Sequence, residues 1–250
     1  MSSMCGRYVM ARGVGDLVAE FDVDETYVDE LDASYNIAPT DPVPLILDRK
    51  DKDSGSVSRK LVTARWGLVP SWSKDAKGAA KLINARRETI TEKPSFRKAA
   101  AQRRALVPAD GYYEWQQELV GGKIHKIPTY LHEVENGVLA FAALFENWPD
   151  PALPADDPAR WLRTCTIITA PAADSIGHIH DRTPLIVPKD LWAEWLDPET
   201  TSEADIRSLV DSMPEPHLVP RVVGSLVNSV RNNGPELIEA AGPESGTLFS

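Results

Sequence analysis

The sequence is divided into many short apolar runs of β-type composition, several of which are separated by glycine turn signals. These runs are too short for long helices, and their Val, Ile, Tyr and Trp content favours strands. Gly55, Gly121–Gly122 and Asn136–Gly137 predict turns, with residues 121–137 joining one hairpin to the next. The predicted strands are CGRYVM (5–10), VPLILD (43–48), KLVTARW (60–66), ALVPADGYYEW (105–115), IPTYLHEV (127–134), VLAFAALF (138–145), TCTIITA (164–170), PLIVP (184–188) and RVVGSLV (221–227).

Helical segments are fewer than strands. The patterns predict helices at 14–21, at 94–104 after Pro94, at 189–197 after Pro188, and at 202–212 with Ser202 as the cap. We therefore expect an α+β fold, mainly antiparallel, with curved sheets or a barrel-like core and helices packed around it.

The chain organisation predicts a single domain over residues 4–240. The acidic, proline-rich segment 147–161 reads as a surface loop, because strands of the same character continue on both sides of it. Residues 1–3 and 241–250 are expected to be flexible ends. We expect a monomer.

The same sequence indicates a cytoplasmic protein. The first twenty residues lack the apolar core of a signal peptide, and the longest apolar run (138–145) is far below the roughly 18 residues of a membrane helix. Cys5 and Cys165 are the only two cysteines and have no CxxC spacing, which is typical of a reducing compartment.

Charge is distributed unevenly along the chain. The formal net charge is −10, yet residues 59–104 contain 13 Lys/Arg against 3 Asp/Glu, a local charge of +10. Several arginines of this stretch lie beside aromatic residues, and the guanidinium fork suits phosphate. The stretch is either an ordinary solvated surface or a face for a phosphate-rich partner, and we favour the second interpretation.

A cysteine follows a second methionine close to the chain start, in MSSMCGRY. Removal of residues up to Met4 would leave Cys5 with a free α-amine beside its thiol. The alternative is an ordinary half-buried cysteine on a first strand.

Motifs for metals and cofactors are weak or absent in the sequence. His178 and His180 in GHIH would share one side of an extended segment, but no third ligand lies nearby. SWSK (71–74) lacks the companion motifs of penicillin-binding enzymes, and no phosphate-binding loop or dinucleotide fingerprint occurs. We expect no metal and no cofactor.

Six dense polar segments carry a family resemblance. They are MCGRY (4–8), NIAPT (36–40), RWGLVPSW (65–72), INARRET (83–89), LVPADGYYEW (106–115) and HIHDRTP (178–184). In this order they resemble the SRAP family, the SOS-response-associated peptidases or abasic-site-shielding proteins, from Met4 to about residue 238.

The resemblance implies that the cysteine exposed by methionine removal captures abasic sites in single-stranded DNA as a stable covalent adduct, protecting them during replication. By position, the catalytic residues would be Cys5, Asn84, Glu114 and His180. The partners would be single strands or single-strand/duplex junctions with abasic sites, in the cytoplasm and close to the nucleoid. Autopeptidase activity at the N-terminus and DNA nicking by a lyase reaction are further implied.

The chemistry of the residues agrees with this role. An α-amine has a pKa near 8, so part of it is neutral at cytoplasmic pH and can attack an aldehyde to form an imine. The neighbouring thiol can then close a five-membered thiazolidine. Glu114, among Tyr112, Tyr113 and Trp115, is expected to have a raised pKa and to act as general acid and base.

His180 would steady the opened sugar or relay a proton, and Asn84 would hold the cysteine backbone or the sugar oxygen. The aromatic side chains would stack on bases or pack in the core. The expected DNA contacts are Arg7, Asn36, Arg65, Trp66, Pro70, Trp72, Arg86 and Arg87.

Two features depart from the family pattern. Thr183 stands where the family usually has methionine, and the prefix MSS leaves Cys5 blocked if translation begins at Met1. Either Met4 is the start, which we favour, or the protein cuts its own Met4–Cys5 bond. Two other functions are open: a cysteine peptidase acting on other proteins through Cys5, His180 and Asn84, or a non-catalytic single-strand binding module.

Overall fold

The computed structural model describes residues 5–135, 137–172 and 174–242. The strands are β1 (Tyr8–Met10), β2 (Glu25–Thr26), β3 (Ser34–Ile37), β4 (Pro42–Lys50), β5 (Val57–Trp66), β6 (Asn84–Arg86), β7 (Arg104–Ala109), β8 (Gly111–Val120), β9 (Lys123–Glu133), β10 (Leu139–Pro149), β11 (Trp161–Pro171), β12 (Arg182–Pro184) and β13 (Leu218–Val222). The α-helices are α1 (Val14–Glu20), α2 (Arg97–Gln102), α3 (Asp174–Gly177), α4 (Trp192–Leu196) and α5 (Glu203–Ser212).

Five strands form a closed barrel. They follow the order β11-β10-β7-β4-β5, and a parallel pairing of β5 with β11 (Arg65 opposite Thr164, Trp66 opposite Cys165) closes the ring. Large side chains fill the core of the barrel: Tyr8 of β1 contacts both Trp66 of β5 and Phe141 of β10 edge to face. The expected α+β fold with a barrel-like core is confirmed.

A second sheet, β13-β9-β8-β1-β3, lies beside the barrel. Its β8–β9 hairpin turns at Gly121–Gly122, which have φ of 57° and 82°, as a two-residue hairpin turn requires. Strand alternation divides β8 between two cores: Tyr112 belongs to the main core, and Tyr113 packs with Tyr130 in a smaller cluster. The candidate active site lies on the face of β8 that carries Tyr112.

The helices cover the barrel from outside. Phe21, which follows α1, stacks on Trp192 of α4 with ring centroids 4.3 Å apart. Ser202 caps α5 by accepting from the backbone N–H of Asp205 at 3.1 Å. No helix within the described ranges is long and apolar enough to cross a membrane.

β1 covers only Tyr8–Met10 of the predicted CGRYVM strand, and three other predicted strands differ in more than their end points. ALVPADGYYEW is divided at Asp110 between β7 of the barrel and β8 of the second sheet, because Asp110 accepts hydrogen bonds from Ala11 and Arg12 at the break. Only the first residue of the predicted strand PLIVP, Pro184, belongs to a strand, where it is the last residue of β12. RVVGSLV leaves β13 after Val222, and Ser225–Asn228 form a 3₁₀ helix.

The basic stretch 59–104 is partly used by the fold itself. Arg104 is 5% exposed and donates to the carbonyl oxygens of Trp195, Ala100, Asp197 and Thr200. Arg59 pairs with Asp48 at 2.8 Å. The local charge of +10 therefore overstates the charge that the surface can offer to a partner.

Gly67 marks the turn that leaves β5. Its φ is 129°, and a Cβ built there would lie 2.7 Å from the carbonyl oxygen of Ala79. Its N–H also donates to the carbonyl of Cys165 at 2.8 Å, which ties the turn to β11. Both the backbone conformation and the available space exclude a side chain.

We expect Gly67→Ala to lower the free energy of unfolding by more than about 1 kcal/mol, because alanine is strained at this φ and meets backbone atoms. Urea unfolding followed by circular dichroism measures the change. The control is Gly15→Ala in α1, where nothing lies within 4 Å of the new Cβ, and there we expect no loss. Equal stabilities of the two variants would contradict the argument.

Candidate active site

The backbone nitrogen of Cys5 lies against the carboxylate of Glu114. β1 pairs antiparallel with β8, and the N–H of Tyr113 donates to the carbonyl of Arg7 at 3.0 Å, so the chain before β1 continues along β8. The N–H of Cys5 then donates to Oε1 of Glu114 at 2.7 Å. The two residues are 3% and 2% exposed, so solvent hardly reaches this contact.

Burial controls the protonation of Glu114. Removal from water raises the pKa of its carboxyl, and the hydrogen bonds from Cys5 together with the electrostatic influence of nearby His180 oppose this rise. A carboxyl with a raised pKa exchanges protons near neutral pH more readily than an ordinary glutamate. Glu114 is therefore suited to give and take a proton at the Cys5 nitrogen.

Asn84 fixes the other side of the Cys5 backbone. β6 lies parallel to β11, with Asn84 opposite Ile167, and this pairing brings the asparagine to the start of the chain. Its Nδ2 donates to the carbonyl oxygen of Cys5 at 3.3 Å. Glu114 and Asn84 thus hold the N–H and the C=O of one residue.

His180 lies in the segment between α3 and β12. Its Nδ1 accepts from the backbone N–H of Arg182 at 3.0 Å and lies 3.1 Å from Oδ1 of Asp181. The ring is 8% exposed and lines the same cavity as Glu114. The four residues predicted to be catalytic are therefore brought together.

The Cys5 thiol is neutral in this environment. Burial is the largest cause that raises its pKa well above the ordinary value, and the Glu114 carboxyl raises it further. Arg182 acts in the opposite direction. Because a thiolate is disfavoured, the nitrogen is better placed than the sulfur to make the first attack on an electrophile.

A cavity of about 690 Å³ opens beside these groups. One wall is the NIAPT segment, where Thr40 has φ of 80° and donates its N–H to the carbonyl of Trp66 at 2.8 Å. The lining residues are Gly6, Arg7, Ala38, Pro39, Thr40, Asp41, Glu114, Trp115, Gln117, Lys126, His180, Asn228 and Val230.

Asn36 does not face the cavity. It is 4% exposed, and its Nδ2 donates to the carbonyls of Ser229 (2.9 Å) and Asn232 (3.0 Å) while its Oδ1 accepts from Arg7 at 2.8 Å. The expectation of a DNA contact at Asn36 is wrong, because its amide is used to hold the chain segment that follows Val227. Arg7 shares this task by donating to the carbonyl of Val227 at 2.9 Å.

Trp66 and Pro70 are also buried. Trp66 is 1% exposed and its indole N–H donates to the carbonyl of Ile83 at 2.9 Å, so it cannot stack on a base. Pro70 lies in the buried turn after β5. Both expected DNA contacts are corrected: of the two alternatives for Trp66, the core is the one observed.

The remaining predicted DNA contacts are accessible to different degrees. Trp72 is 65% exposed, Arg86 is exposed, and Arg87 is half-buried. Arg65, also half-buried, lines a second cavity with Lys74, Lys77 and Trp148. These four residues keep the surface properties that a nucleic-acid contact needs, and Arg7 lines the cavity beside Glu114, so a role in DNA binding stays a prediction for all five.

The sequence reasoning missed Arg182 and Glu88. Arg182 donates to both carboxylate oxygens of Glu88, at 2.6 and 3.1 Å, and to the carbonyl of Thr169 at 2.6 Å. This pair fixes a guanidinium near the Cys5 thiol. Glu88 belongs to the segment INARRET and Arg182 to the segment HIHDRTP, both of which carry the family resemblance. The opposite charges in these two segments could have indicated an ion pair between them.

The wall formed by Asn228 and Val230 was missed as well. Asn228 accepts a hydrogen bond from the indole N–H of Trp115 at 2.7 Å. These two residues are 113 positions apart in the sequence, so no local sequence pattern indicates the contact. For metals, the described ranges contain no group of three or more His, Cys, Asp or Glu side chains that could hold an ion.

Comparisons with known proteins identify relatives of this chain. The chain is 39% identical over 238 residues to the abasic site processing protein YoqW of Bacillus subtilis (95% of this chain, 100% of the relative). It is 34% identical over 227 residues to the abasic site processing protein HMCES of Gallus gallus, covering 82% of this chain and 65% of that protein.

Solved structures share the fold. A protein from Bacteroides thetaiotaomicron superposes with a TM-score of 0.75 at 26% identity, covering 95% of this chain and all of that one. A phage-related protein from Bordetella bronchiseptica gives 0.62 at 29% identity, covering 88% and 94% of the two chains. The family model of the SOS response associated peptidases (SRAP) matches residues 4–230, and the chain belongs to this family.

Proposed function

We propose that this protein detects abasic sites in single-stranded DNA and joins itself to them covalently through Cys5. The observation that carries the proposal is the buried contact of 2.7 Å between the Cys5 nitrogen and the Glu114 carboxylate, beside a cavity that is open to a ligand. The abasic site processing relatives support the choice of substrate. Protection of the lesion during replication is the expected consequence.

The reaction begins with the α-amine of Cys5. Glu114 accepts a proton from the ammonium form, and the neutral amine attacks C1′ of the ring-opened sugar to give a carbinolamine. Glu114, now protonated, donates to the leaving hydroxyl, and water departs as the imine forms. A carboxyl whose pKa is raised by burial serves both proton transfers.

The thiol completes the adduct. The sulfur adds to the imine carbon, its proton passes to the nitrogen, and a five-membered thiazolidine closes. Overall, the aldehyde and the aminothiol combine with loss of one water. Because amine and thiol belong to one residue whose backbone is held by Asn84 and Glu114, the closure is intramolecular and favoured by a high effective concentration.

This chemistry requires a Cys5 without residues before it. Met4 lies outside the described residues, and we propose that translation from Met4 and ordinary methionine removal expose the amine. Autoproteolysis of the Met4–Cys5 bond is the second route, in which Glu114 and Asn84 would assist the same cysteine. A lyase reaction would follow if the imine lost the 3′-phosphate by β-elimination before the thiol closed the ring.

We further propose that one domain, residues 4–240, acts as a monomer in the cytoplasm close to the nucleoid. The predicted flexible ends, 1–3 and 241–250, lie outside the described residues except for 241 and 242. Single strands and single-strand/duplex junctions are the preferred partners, because no opposing strand has to be displaced to expose the sugar.

A denaturing gel with single-stranded DNA containing one abasic site tests the proposal. We expect a heat-stable shifted band with the wild-type chain and none with Cys5→Ala or Cys5→Ser. Borohydride should restore a band with Cys5→Ala, because the α-amine still forms an imine that reduction traps. Equal weak binding by all three chains would instead support a non-catalytic module, and cleavage of added peptides without a DNA adduct would support a peptidase.

Glu114→Gln separates the chemical role of the carboxyl from its structural role. We expect adduct formation to slow by at least about 100-fold, since glutamine cannot transfer protons. The control is Glu118→Gln, an exposed residue of the same strand, which should react like wild type. Normal rates with Glu114→Gln would remove Glu114 from the mechanism.

Glu114→Gln also tests how the buried Glu114 carboxylate affects the stability of the folded protein. This experiment uses the chain that keeps Met4. The folded pKa of Glu114 is raised above the unfolded value of about 4.3. The folded state therefore binds more protons, and the ionised carboxylate costs stability increasingly as pH rises from about 4 toward the folded pKa. We expect urea unfolding to show that the stability of Glu114→Gln relative to wild type rises as pH increases above about 4 and levels off once the pH passes the folded pKa. A pH-independent difference would contradict the raised pKa.

A further inference from the structure

The five-stranded barrel has a second end, away from the candidate active site, and arginines occupy it. Arg49 of β4 lies on the same strand face as the buried Leu45 and Leu47. Arg163 of β11 lies on the same face as the buried Cys165, which pairs with Phe145 of β10. These faces line the barrel interior, so Arg49 and Arg163 come from its last layer.

Arg103, directly before β7, joins this layer. Its backbone carbonyl accepts from Phe145 N–H at 3.0 Å, and the guanidinium of Arg49 lies 4.6 Å from the centroid of the Phe145 ring. Arg49 also donates to the carbonyl of Gln102 at 3.3 Å. Arg163 donates to the carbonyl of Thr63 at 3.3 Å. Arg49 and Arg163 on two strands and Arg103 directly before a third are therefore close enough for the charges of Arg103 and Arg163 to act on Arg49, whose guanidinium lies against Phe145.

The charge of this arginine cluster (Arg49, Arg103 and Arg163) is poorly balanced. Glu146 pairs with Arg103 at 2.7 Å and is itself 4% exposed. Neither Arg49 nor Arg163 forms an ion pair with a carboxylate of the described residues. Only Arg103 of the three is paired with a carboxylate, and burial together with the charges of Arg103 and Arg163 lowers the pKa of Arg49.

Two donors of the cluster lack a partner. Nε of Arg103 and Nε of Arg163 are buried from solvent and make no hydrogen bond in the described structure. A buried donor left unsatisfied costs stability, and the cost is larger when the group is charged. Such a cost, next to uncompensated positive charge, is expected where an anion completes the site.

We propose that Arg49, Arg103 and Arg163 form a binding site for a phosphate group at the end of the barrel opposite Cys5. Phosphate fits because it is tetrahedral and offers several acceptor oxygens to guanidinium groups that approach from different strands. A planar carboxylate, which one arginine fork satisfies, would leave the other two unpaired. The existing acid, Glu146, satisfies only Arg103.

The phosphate can come from the DNA backbone or from a small phosphorylated molecule. Arg163 lies four residues before Ile167, which pairs with Asn84, and four residues of strand span about 13 Å. A stacked strand covers this distance in roughly four nucleotides. The proposal of a phosphate site does not depend on the reaction at Cys5.

Calorimetric titration with inorganic phosphate, at constant ionic strength set with chloride, tests the site on the full chain. We expect saturable binding by the wild type and at least about tenfold weaker binding by Arg49→Gln and by Arg163→Gln. The control Arg207→Gln, an exposed arginine paired with Glu92 and Glu203, should bind like wild type. Urea unfolding of each variant establishes that it is folded.

Glu146→Gln distinguishes a phosphate site from an arginine cluster that only stabilises the fold, because only a phosphate site would change its affinity for phosphate. Removing the one carboxylate should tighten phosphate binding at least about threefold, because it removes repulsion. Unsaturable binding by the wild type, or unchanged affinity in both arginine variants, would overturn the proposal.

Non-covalent binding of DNA lacking the lesion distinguishes the source of the phosphate. If Arg163→Gln weakens binding of a 21-nucleotide strand but not of a 5-nucleotide strand, the group is a backbone phosphate. If the arginine variants lose phosphate binding but bind both the 21-nucleotide and the 5-nucleotide strand like wild type, the ligand is a small phosphorylated molecule. Either result supports the phosphate site.

Discussion

One hydrogen bond organises the reactive end of this molecule: the backbone N–H of Cys5 donates to the buried carboxylate of Glu114 at 2.7 Å. Antiparallel pairing of β1 with β8 brings the start of the chain to Glu114, and parallel pairing of β6 with β11 brings Asn84 to the carbonyl of Cys5. Within the closed barrel, β11 pairs with β10 and with β5. The fold thus holds one backbone unit between a buried carboxyl and an amide.

Burial raises the pKa of both the Cys5 thiol and the Glu114 carboxyl. It disfavours the thiolate, so that the resting sulfur is a weak nucleophile, and it favours the protonated carboxyl beside the nitrogen more than in an ordinary glutamate. In the proposed reaction the amine therefore attacks first and the sulfur closes the ring. The stability lost by burying an ionisable carboxyl is consistent with a residue kept for chemistry.

Sequence patterns predicted the α+β class, the barrel-like core and the residues around Cys5, because dense polar segments and strand-length apolar runs are local features. They failed where function depends on distant contacts. Asn36 and Trp66 have residue types that suit DNA, yet Asn36 binds carbonyls near residue 230 and Trp66 fills the barrel. The Arg182–Glu88 pair and the arginine cluster arise from strand register, which the pattern of one strand does not contain.

The central claim is that the nitrogen of Cys5 is free when the protein bonds to DNA. Intact-mass measurement of the DNA-linked protein tests this most directly. The account predicts a chain that begins at Cys5, with a mass equal to the sum of that chain and the abasic oligonucleotide less one water. A DNA-linked chain that still carries residues before Cys5 would contradict it.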